Sequence, residues 1–98
     1  MEKRTPQCRL AVVHALVDAG KVRMTLNATA GAATLGLNAE GVVEVIKGLR
    51  PADFYKSMTT YADHTIWQDV YRTATTLGDV YLKLTVIDDV LVVSFKEL

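Results

Sequence analysis

The sequence predicts an α+β fold in which three N-terminal helices pack on one antiparallel β-sheet. Apolar residues in the first half recur at helical spacing, whereas apolar and polar residues alternate in the second half. Asp88 and Asp89 separate two alternating segments, which is typical of a hairpin turn. Half of the 98 residues are hydrophobic, which is enough for one core, so we expect residues 1–98 to form a single domain.

The first predicted helix begins at Thr5 and Pro6, an N-cap followed by a first-turn proline, and Gly20 is placed to stop it. Its apolar positions at helical spacing are Leu10, Val13, Leu16 and Val17. The segment 21–26 that follows is short, and an edge strand is the interpretation that we favour for it.

Two further helices are predicted in the first half. Asn27 is positioned to cap a small alanine-rich helix that ends at Gly36, although Gly31 lowers its helix propensity. Asn38 is positioned to cap the third helix, and Gly48 and Pro51 end it. The apolar residues of this third helix follow an i, i+3, i+4, i+7 pattern at Val42, Val45, Ile46 and Leu49.

The second half predicts four strands. Residues 54–61 and 67–73 are rich in aromatic and β-branched types and form two of them. Residues 78–98 form the final hairpin, in which a two-residue turn makes opposing residue numbers sum to 177. The apolar pairs that then share one face are Val86–Leu91, Leu84–Val93 and Leu82–Phe95.

The other face of this hairpin carries polar side chains. The same register places Tyr81 beside Lys96 and Lys83 beside Ser94, away from the core. The sequence therefore predicts a sheet face with polar side chains. A strand pair that served only to form the core would not need them.

Composition narrows the possible functions. The net charge is zero, but residues 1–50 carry seven basic against four acidic side chains and residues 51–98 carry four against seven. Cys8 is the only cysteine, which excludes an internal disulfide and a cysteine-cluster metal site. No apolar run reaches the roughly 20 residues of a membrane helix, and the first residues lack the apolar centre of a secretion signal. We expect a cytoplasmic protein without a metal.

The polar residues of the predicted strands suit a phosphodiester substrate. Lysine and arginine neutralise phosphate oxygens, glutamine donates hydrogen bonds, and aromatic rings stack on unpaired bases. If the 2′-hydroxyl of RNA attacks the adjacent phosphorus, neither a metal nor a cofactor is required. The residues concerned are Lys56, Gln68, Arg72, Tyr81, Lys83 and Lys96.

Each of these residues also has a plain structural interpretation. Lys83 and Lys96 could be ordinary surface charges, and Gln68 and Arg72 could hydrogen-bond within the sheet. His64 lies in a loop and is more typical of a surface residue than of a general base. Core packing is the favoured interpretation for the aromatic residues Phe54, Tyr55 and Trp67, and gap filling is equally suitable for Met58.

Five stretches of the sequence resemble one family over the whole chain. "MEKRTP", "FYKSMTTY", "DHTIWQDVYR", "VYLKLTVI" and "DVLVVSFKE" are similar to the MqsR toxins, the motility quorum-sensing regulator type, which have a RelE-like fold. The resemblance is specific over residues 53–72 and 78–97 and loose over 24–48. It implies that Lys56, Gln68, Tyr81 and Lys96 are catalytic and that Arg72 and Met58 contact RNA. Lys83 gains no such support and stays a candidate phosphate contact.

The same resemblance implies a function and a partner. It implies a toxin of a type II toxin–antitoxin system that cuts mRNA without the ribosome, at GC-containing sites such as GCU. It also implies a cognate antitoxin, a dimer with a zinc-binding domain and a helix-turn-helix domain through which the toxin is linked indirectly to DNA. The toxin alone is expected to be a monomer that binds no membrane.

Two departures from the family bear on RNA affinity and on the end of one strand, and neither removes a candidate site residue. Family members are basic whereas this chain is neutral, and Thr73 stands where many members have proline after the arginine. A non-enzymatic nucleic-acid-binding module is one alternative. The other is an inactive toxin homologue that acts as an antitoxin-binding transcriptional co-regulator. The intact candidate residues favour the endoribonuclease.

Overall fold

A computed structural model describes all residues, 1–98, as three helices and six strands. The helices are α1 (Leu10–Asp18), α2 (Leu26–Thr34) and α3 (Ala39–Lys47), and the strands are β1 (Glu2–Lys3), β2 (Val22–Met24), β3 (Phe54–Thr59), β4 (Trp67–Thr75), β5 (Gly78–Ile87) and β6 (Asp89–Glu97). None of the helices is both long and apolar enough to cross a membrane.

The six strands form one sheet in the order β1-β3-β4-β5-β6-β2. The α+β prediction is confirmed, and segment 21–26 does supply an edge strand, β2. The sheet is mixed rather than wholly antiparallel, because β2 runs parallel to β6 while every other neighbouring pair is antiparallel. A parallel neighbour is possible here because the chain between β2 and β6 is long enough to cross over.

The predicted start of the first helix is wrong. Its N-cap is Arg9, which has extended backbone angles, and not Thr5. The buried carboxylate of Asp69 accepts hydrogen bonds from the backbone amides of Gln7 (2.9 Å) and Cys8 (3.0 Å). Those amides are thus satisfied outside a helix, and the helix begins only after them. Gly20, in the left-handed region at φ 75°, follows the end of α1 as predicted.

The predicted N-cap of α2 is wrong, and the predicted N-cap of α3 is confirmed. Thr25, not Asn27, caps α2, because its hydroxyl accepts the backbone N–H of Ala28 at 3.0 Å. Asn38 caps α3 as predicted, and its side-chain oxygen accepts the backbone N–H of Gly41 at 2.9 Å.

The core lies between the helices and one face of the sheet. Fourteen buried residues form one cluster: Val13, Val17, Ala28, Ala32, Val42, Ile46, Leu49, Tyr71, Val80, Leu82, Leu84, Val90, Val92 and Phe95. All three helices contribute to it, together with β4, β5 and β6. The helices therefore cover one face of the sheet and leave the other for polar side chains.

The predicted register of the final hairpin is correct for its outer half only. Tyr81 pairs with Lys96 and Lys83 with Ser94, as the sum of 177 requires. The register then shifts by one residue, so the pairs nearer the turn are Leu84–Val92, Thr85–Leu91, Val86–Val90 and Ile87–Asp89. This corrects the predicted pairs Val86–Leu91 and Leu84–Val93 and buries Val90 and Val92 in place of Leu91 and Val93.

Two local features accompany the shift. The turn contains Asp88 alone, at φ 61°, a left-handed conformation that aspartate tolerates better than most residues. Val93 is the extra residue of a β-bulge, and its carbonyl accepts a hydrogen bond from the Thr25 hydroxyl at 2.8 Å. The bulge thus also connects β6 to the start of α2.

Helix α2 packs directly on the backbone of β6 through Gly31. A β-carbon placed on Gly31 would lie 1.8 Å from the Phe95 carbonyl oxygen and 3.8 Å from the Lys96 α-carbon. The first distance is far inside any allowed contact, so only glycine permits this approach. The glycine that weakens the helix by propensity is the residue that lets the helix reach the sheet.

We predict that Gly31→Ala destabilises the protein despite alanine's higher helix propensity. The added methyl group must displace backbone, and such overpacking costs about 1–3 kcal/mol, more than the roughly 1 kcal/mol that alanine gains in a helix. Denaturant unfolding measures the difference. Gly48→Ala is the matched control, because its nearest neighbours would lie 3.6 Å away. Equal midpoints for the two variants would contradict the close packing.

Candidate active site

The alternation of β4 sends its side chains to opposite faces of the sheet. Asp69 and Tyr71 face the helices, and Gln68 and Arg72 face the other way. Cross-strand partners share a face, so the pairings Met58–Gln68, Lys56–Val70, Val70–Lys83, Arg72–Tyr81 and Tyr81–Lys96 join all the predicted site residues. We call this surface, formed by Lys56, Met58, Gln68, Arg72, Tyr81, Lys83 and Lys96, the open sheet face.

One cross-strand row contains Arg72, Tyr81 and Lys96. Tyr81 pairs with Arg72 on one side and Lys96 on the other. The Lys96 ammonium lies 5.0 Å from the centre of the Tyr81 ring, close enough for a cation–π contact. The predicted proximity of Tyr81 and Lys96 is confirmed, and the row places a phenol between two cations.

A bulge in β3 brings Tyr55 onto the same face. The pairing runs from Phe54–Tyr71 to Lys56–Val70, which leaves Tyr55 as the extra residue beside Lys56. The guanidinium carbon of Arg72 lies 3.6 Å from the centre of the Tyr55 ring. The prediction that Tyr55 packs in the core is therefore wrong, because the bulge reverses the alternation that would have turned it inward.

The other two aromatic residues lie elsewhere. Phe54 packs against the core, with its ring edge-on to Tyr71 at 5.6 Å between centres. Trp67 is half-buried, and the Lys3 ammonium lies 4.2 Å from the centre of its ring. Core packing is confirmed for Phe54, while Trp67 lies outside the core cluster and anchors the N-terminal segment.

Lys56 is paired with a residue that sequence reasoning did not single out. Its ammonium lies 2.5 Å from the Glu2 carboxylate, and the two side chains are 19% and 54% exposed. The hydrogen bond to Glu2 raises the pKa of Lys56, and the same bond lowers the pKa of Glu2. Glu2 reaches Lys56 because β1 pairs with β3 and places Glu2 opposite Met58. A two-residue strand gives no periodic signal, so this contact could not be read from the pattern.

The N-terminal segment is fixed to the sheet at several points. The Asp69 carboxylate, only 4% exposed, holds the amides of Gln7 and Cys8. Arg4 donates a hydrogen bond to the Tyr55 carbonyl at 3.4 Å, and Lys3 lies over Trp67. Sequence reasoning missed Asp69, although an acidic residue between the apolar Trp67 and Val70 was a signal of a buried polar role.

Of the remaining candidates, Met58 and His64 lie at the margin of the open sheet face and Lys83 lies in its interior. Met58 lines a groove together with Glu2 and His64. His64 is exposed, as the surface interpretation predicts, but it borders the site rather than lying remote from it. Lys83 is half-buried between Val70 and Ser94. No three His, Cys, Asp or Glu side chains come together as a metal site would require.

Comparison with known proteins identifies the family. The family model described as "Motility quorum-sensing regulator, toxin of MqsA" matches residues 5–97. The mRNA interferase toxin MqsR of Escherichia coli (strain K12) is 63% identical over 97 residues, which cover 99% of each chain. Both matches extend over the four strands that carry the open sheet face. The chain belongs to the MqsR toxin family.

Proposed function

We propose that this protein is a toxin that cuts mRNA on the open sheet face. The family and the name of the relative bear out the prediction of an endoribonuclease toxin with an RNA substrate and an antitoxin partner. The observation that supports the location is that four strands bring a phenol, an amide and cationic groups to one surface. A phosphodiester is the substrate that such a surface fits best.

In the chemistry proposed for the site, the 2′-oxygen of a ribose attacks the phosphorus bonded to the 3′-oxygen of the same ribose. A bond forms between the 2′-oxygen and phosphorus, the bond to the 5′-oxygen breaks, and a 2′,3′-cyclic phosphate and a 5′-hydroxyl result. Lys56 and Lys96 stabilise the extra negative charge of the transition state, and Gln68 and Tyr81 donate hydrogen bonds to phosphate oxygens. Arg72, Met58 and Lys83 hold the flanking RNA.

We further propose that the reaction needs no metal and no cofactor. The nucleophile is already part of the substrate, so alignment replaces the activation of a water molecule. Two ammonium groups and a guanidinium supply the positive charge that a metal provides in other nucleases. The protein's share of catalysis is then positioning and charge stabilisation.

Site preference and regulation are carried over from the family. We propose cleavage at GC-containing sites such as GCU, without the ribosome. We also propose a cognate dimeric antitoxin with a zinc-binding domain and a helix-turn-helix domain, through which the toxin is linked to DNA. An inactive co-regulator is the alternative, but it gives no reason for Lys56, Gln68, Tyr81 and Lys96 to share one face.

Lys96→Ala should lower the cleavage rate of a defined mRNA by about 10²–10³-fold, by analogy with the loss of one preorganised charge-stabilising group. Sequencing of the cut ends measures both the rate and the site. Lys47→Ala is the control, because Lys47 lies on α3, on the helix side of the sheet. Full activity of Lys96→Ala would refute the assignment of this lysine.

Cleavage by the wild-type protein should continue in EDTA, because no step is assigned to a metal. The products should carry a 2′,3′-cyclic phosphate and a 5′-hydroxyl, which chemical end analysis distinguishes from other products. Loss of cleavage on chelation, restored by a divalent cation, would refute metal independence.

Tyr55→Leu should weaken RNA binding, and Tyr55→Phe should not. The ring of Tyr55 supports the Arg72 guanidinium at 3.6 Å, and cation–π contacts of this kind contribute about 0.5–2 kcal/mol. Fluorescence anisotropy with uncleavable RNA measures the affinity. The loss of affinity in Arg72→Ala gives the full effect of removing the guanidinium, for comparison. Equal affinity of the leucine and phenylalanine variants would show that the ring has no supporting role.

A further inference from the structure

We propose that Glu2 is the general base that accepts the proton of the attacking 2′-hydroxyl. This inference rests on the proposed function. The open sheet face supplies ammonium, guanidinium, phenol and amide groups, which at neutral pH are hydrogen-bond donors that keep their protons. The reaction also needs a group that accepts a proton. Glu2 is the carboxylate that is hydrogen-bonded to a member of this surface.

The geometry places Glu2 on the same side of the sheet as the open sheet face and in contact with Lys56. Its partner in the strand pairing is Met58, which lies opposite Gln68, so all three side chains share one face. The Glu2 oxygen lies 2.5 Å from the Lys56 ammonium. Any phosphate that binds Lys56 therefore comes within reach of the Glu2 carboxylate. The carboxylate is half-exposed, so RNA has access to it.

The segment that carries Glu2 is fixed well enough to position a base. The Lys3 ammonium contacts the Trp67 ring, and Arg4 is hydrogen-bonded to the Tyr55 carbonyl. Further along, the buried Asp69 holds two backbone amides of the same segment. A short edge strand would fray without such anchors, and general bases act only from within hydrogen-bond reach of the proton.

The charges around Glu2 favour its ionised form. Lys56 lies on β3, while Arg4 and the N-terminal ammonium belong to its own segment, and all three lower the pKa of Glu2. His64, from the loop after β3, borders the same groove. The carboxylate is consequently ionised at neutral pH, which is the form that a general base needs.

The proposed step balances as follows. The 2′-oxygen bonds to phosphorus as its proton passes to Glu2, and the 5′-oxygen leaves with a proton taken from water. Protonated Glu2 is a weaker partner for Lys56 than the carboxylate is, so the ammonium becomes free for the phosphate as negative charge develops there. Glu2 then returns its proton to solvent, and the hydrogen bond to Lys56 forms again.

The test is the pH dependence of the cleavage rate of Glu2→Gln with an RNA oligonucleotide under single-turnover conditions. We expect a loss of about 10²–10⁴-fold at neutral pH, the range of general-base catalysis. The wild-type rate should change little with pH around neutrality, because the carboxylate is already ionised. The variant's rate should instead rise about tenfold for each pH unit, because hydroxide must replace the missing base.

Three controls separate a base from a structural residue. Glu2→Asp should recover part of the rate and the wild-type pH profile. Affinity of Glu2→Gln for the same oligonucleotide with a 2′-deoxy residue at the cut position should be unchanged or tighter. Glu40→Gln, on α3, should match the wild type in every assay.

Three results would overturn the proposal. An unchanged or faster Glu2→Gln would show that the carboxylate only competes with phosphate for Lys56. A slower variant with the wild-type pH profile would make Glu2 a positioning residue for Lys56. A wild-type protein that cuts no RNA would overturn the proposed function itself, and this inference with it.

Discussion

The alternation of side chains along β4 is the constraint on which the rest of the structure depends. Asp69 faces the helices, where it holds the N-terminal segment, and Tyr71 faces the core. The side chains of Gln68 and Arg72 lie on the open sheet face. A shift of one residue in this strand would exchange the two sets, bury a guanidinium and expose a tyrosine. The requirement to form a core and the requirement to expose a polar surface are therefore met by the same register.

Much of the open sheet face was predictable, because period-two patterns in β4 and β5 fix which residues lie on the same side of the sheet. Tyr81 and Lys96 were paired correctly because the ladder is regular over that half of the hairpin. The errors within the sheet lie at bulges, since one extra residue leaves no mark on composition. Tyr55 was placed in the core for this reason. Glu2 could not be found at all, because its position depends on a two-residue strand paired with a segment more than 50 residues away.

The arrangement of charges explains how a neutral chain presents a basic surface. Four of the seven acidic residues in the second half accept hydrogen bonds, two from neighbours in a turn and two from distant parts of the chain. Asp53 accepts one from the Arg50 amide, Asp63 from Thr65, Asp69 from two backbone amides, and Asp89 from Arg23. These carboxylates thus stabilise turns, hold the N-terminal segment and form an ion pair. Net charge is a poor guide to binding when acids and bases are sorted in this way.

Gly31 shows that structural constraint extends well beyond the residues of the open sheet face. Its contact with the Phe95 carbonyl involves backbone on both sides, so no rotamer change can absorb a displacement. Helix α2 follows β2 along the chain and packs on β6, where a β-carbon at position 31 would lie 3.8 Å from the Lys96 α-carbon. A side chain at position 31 would therefore push α2 away from the strand that carries Lys96.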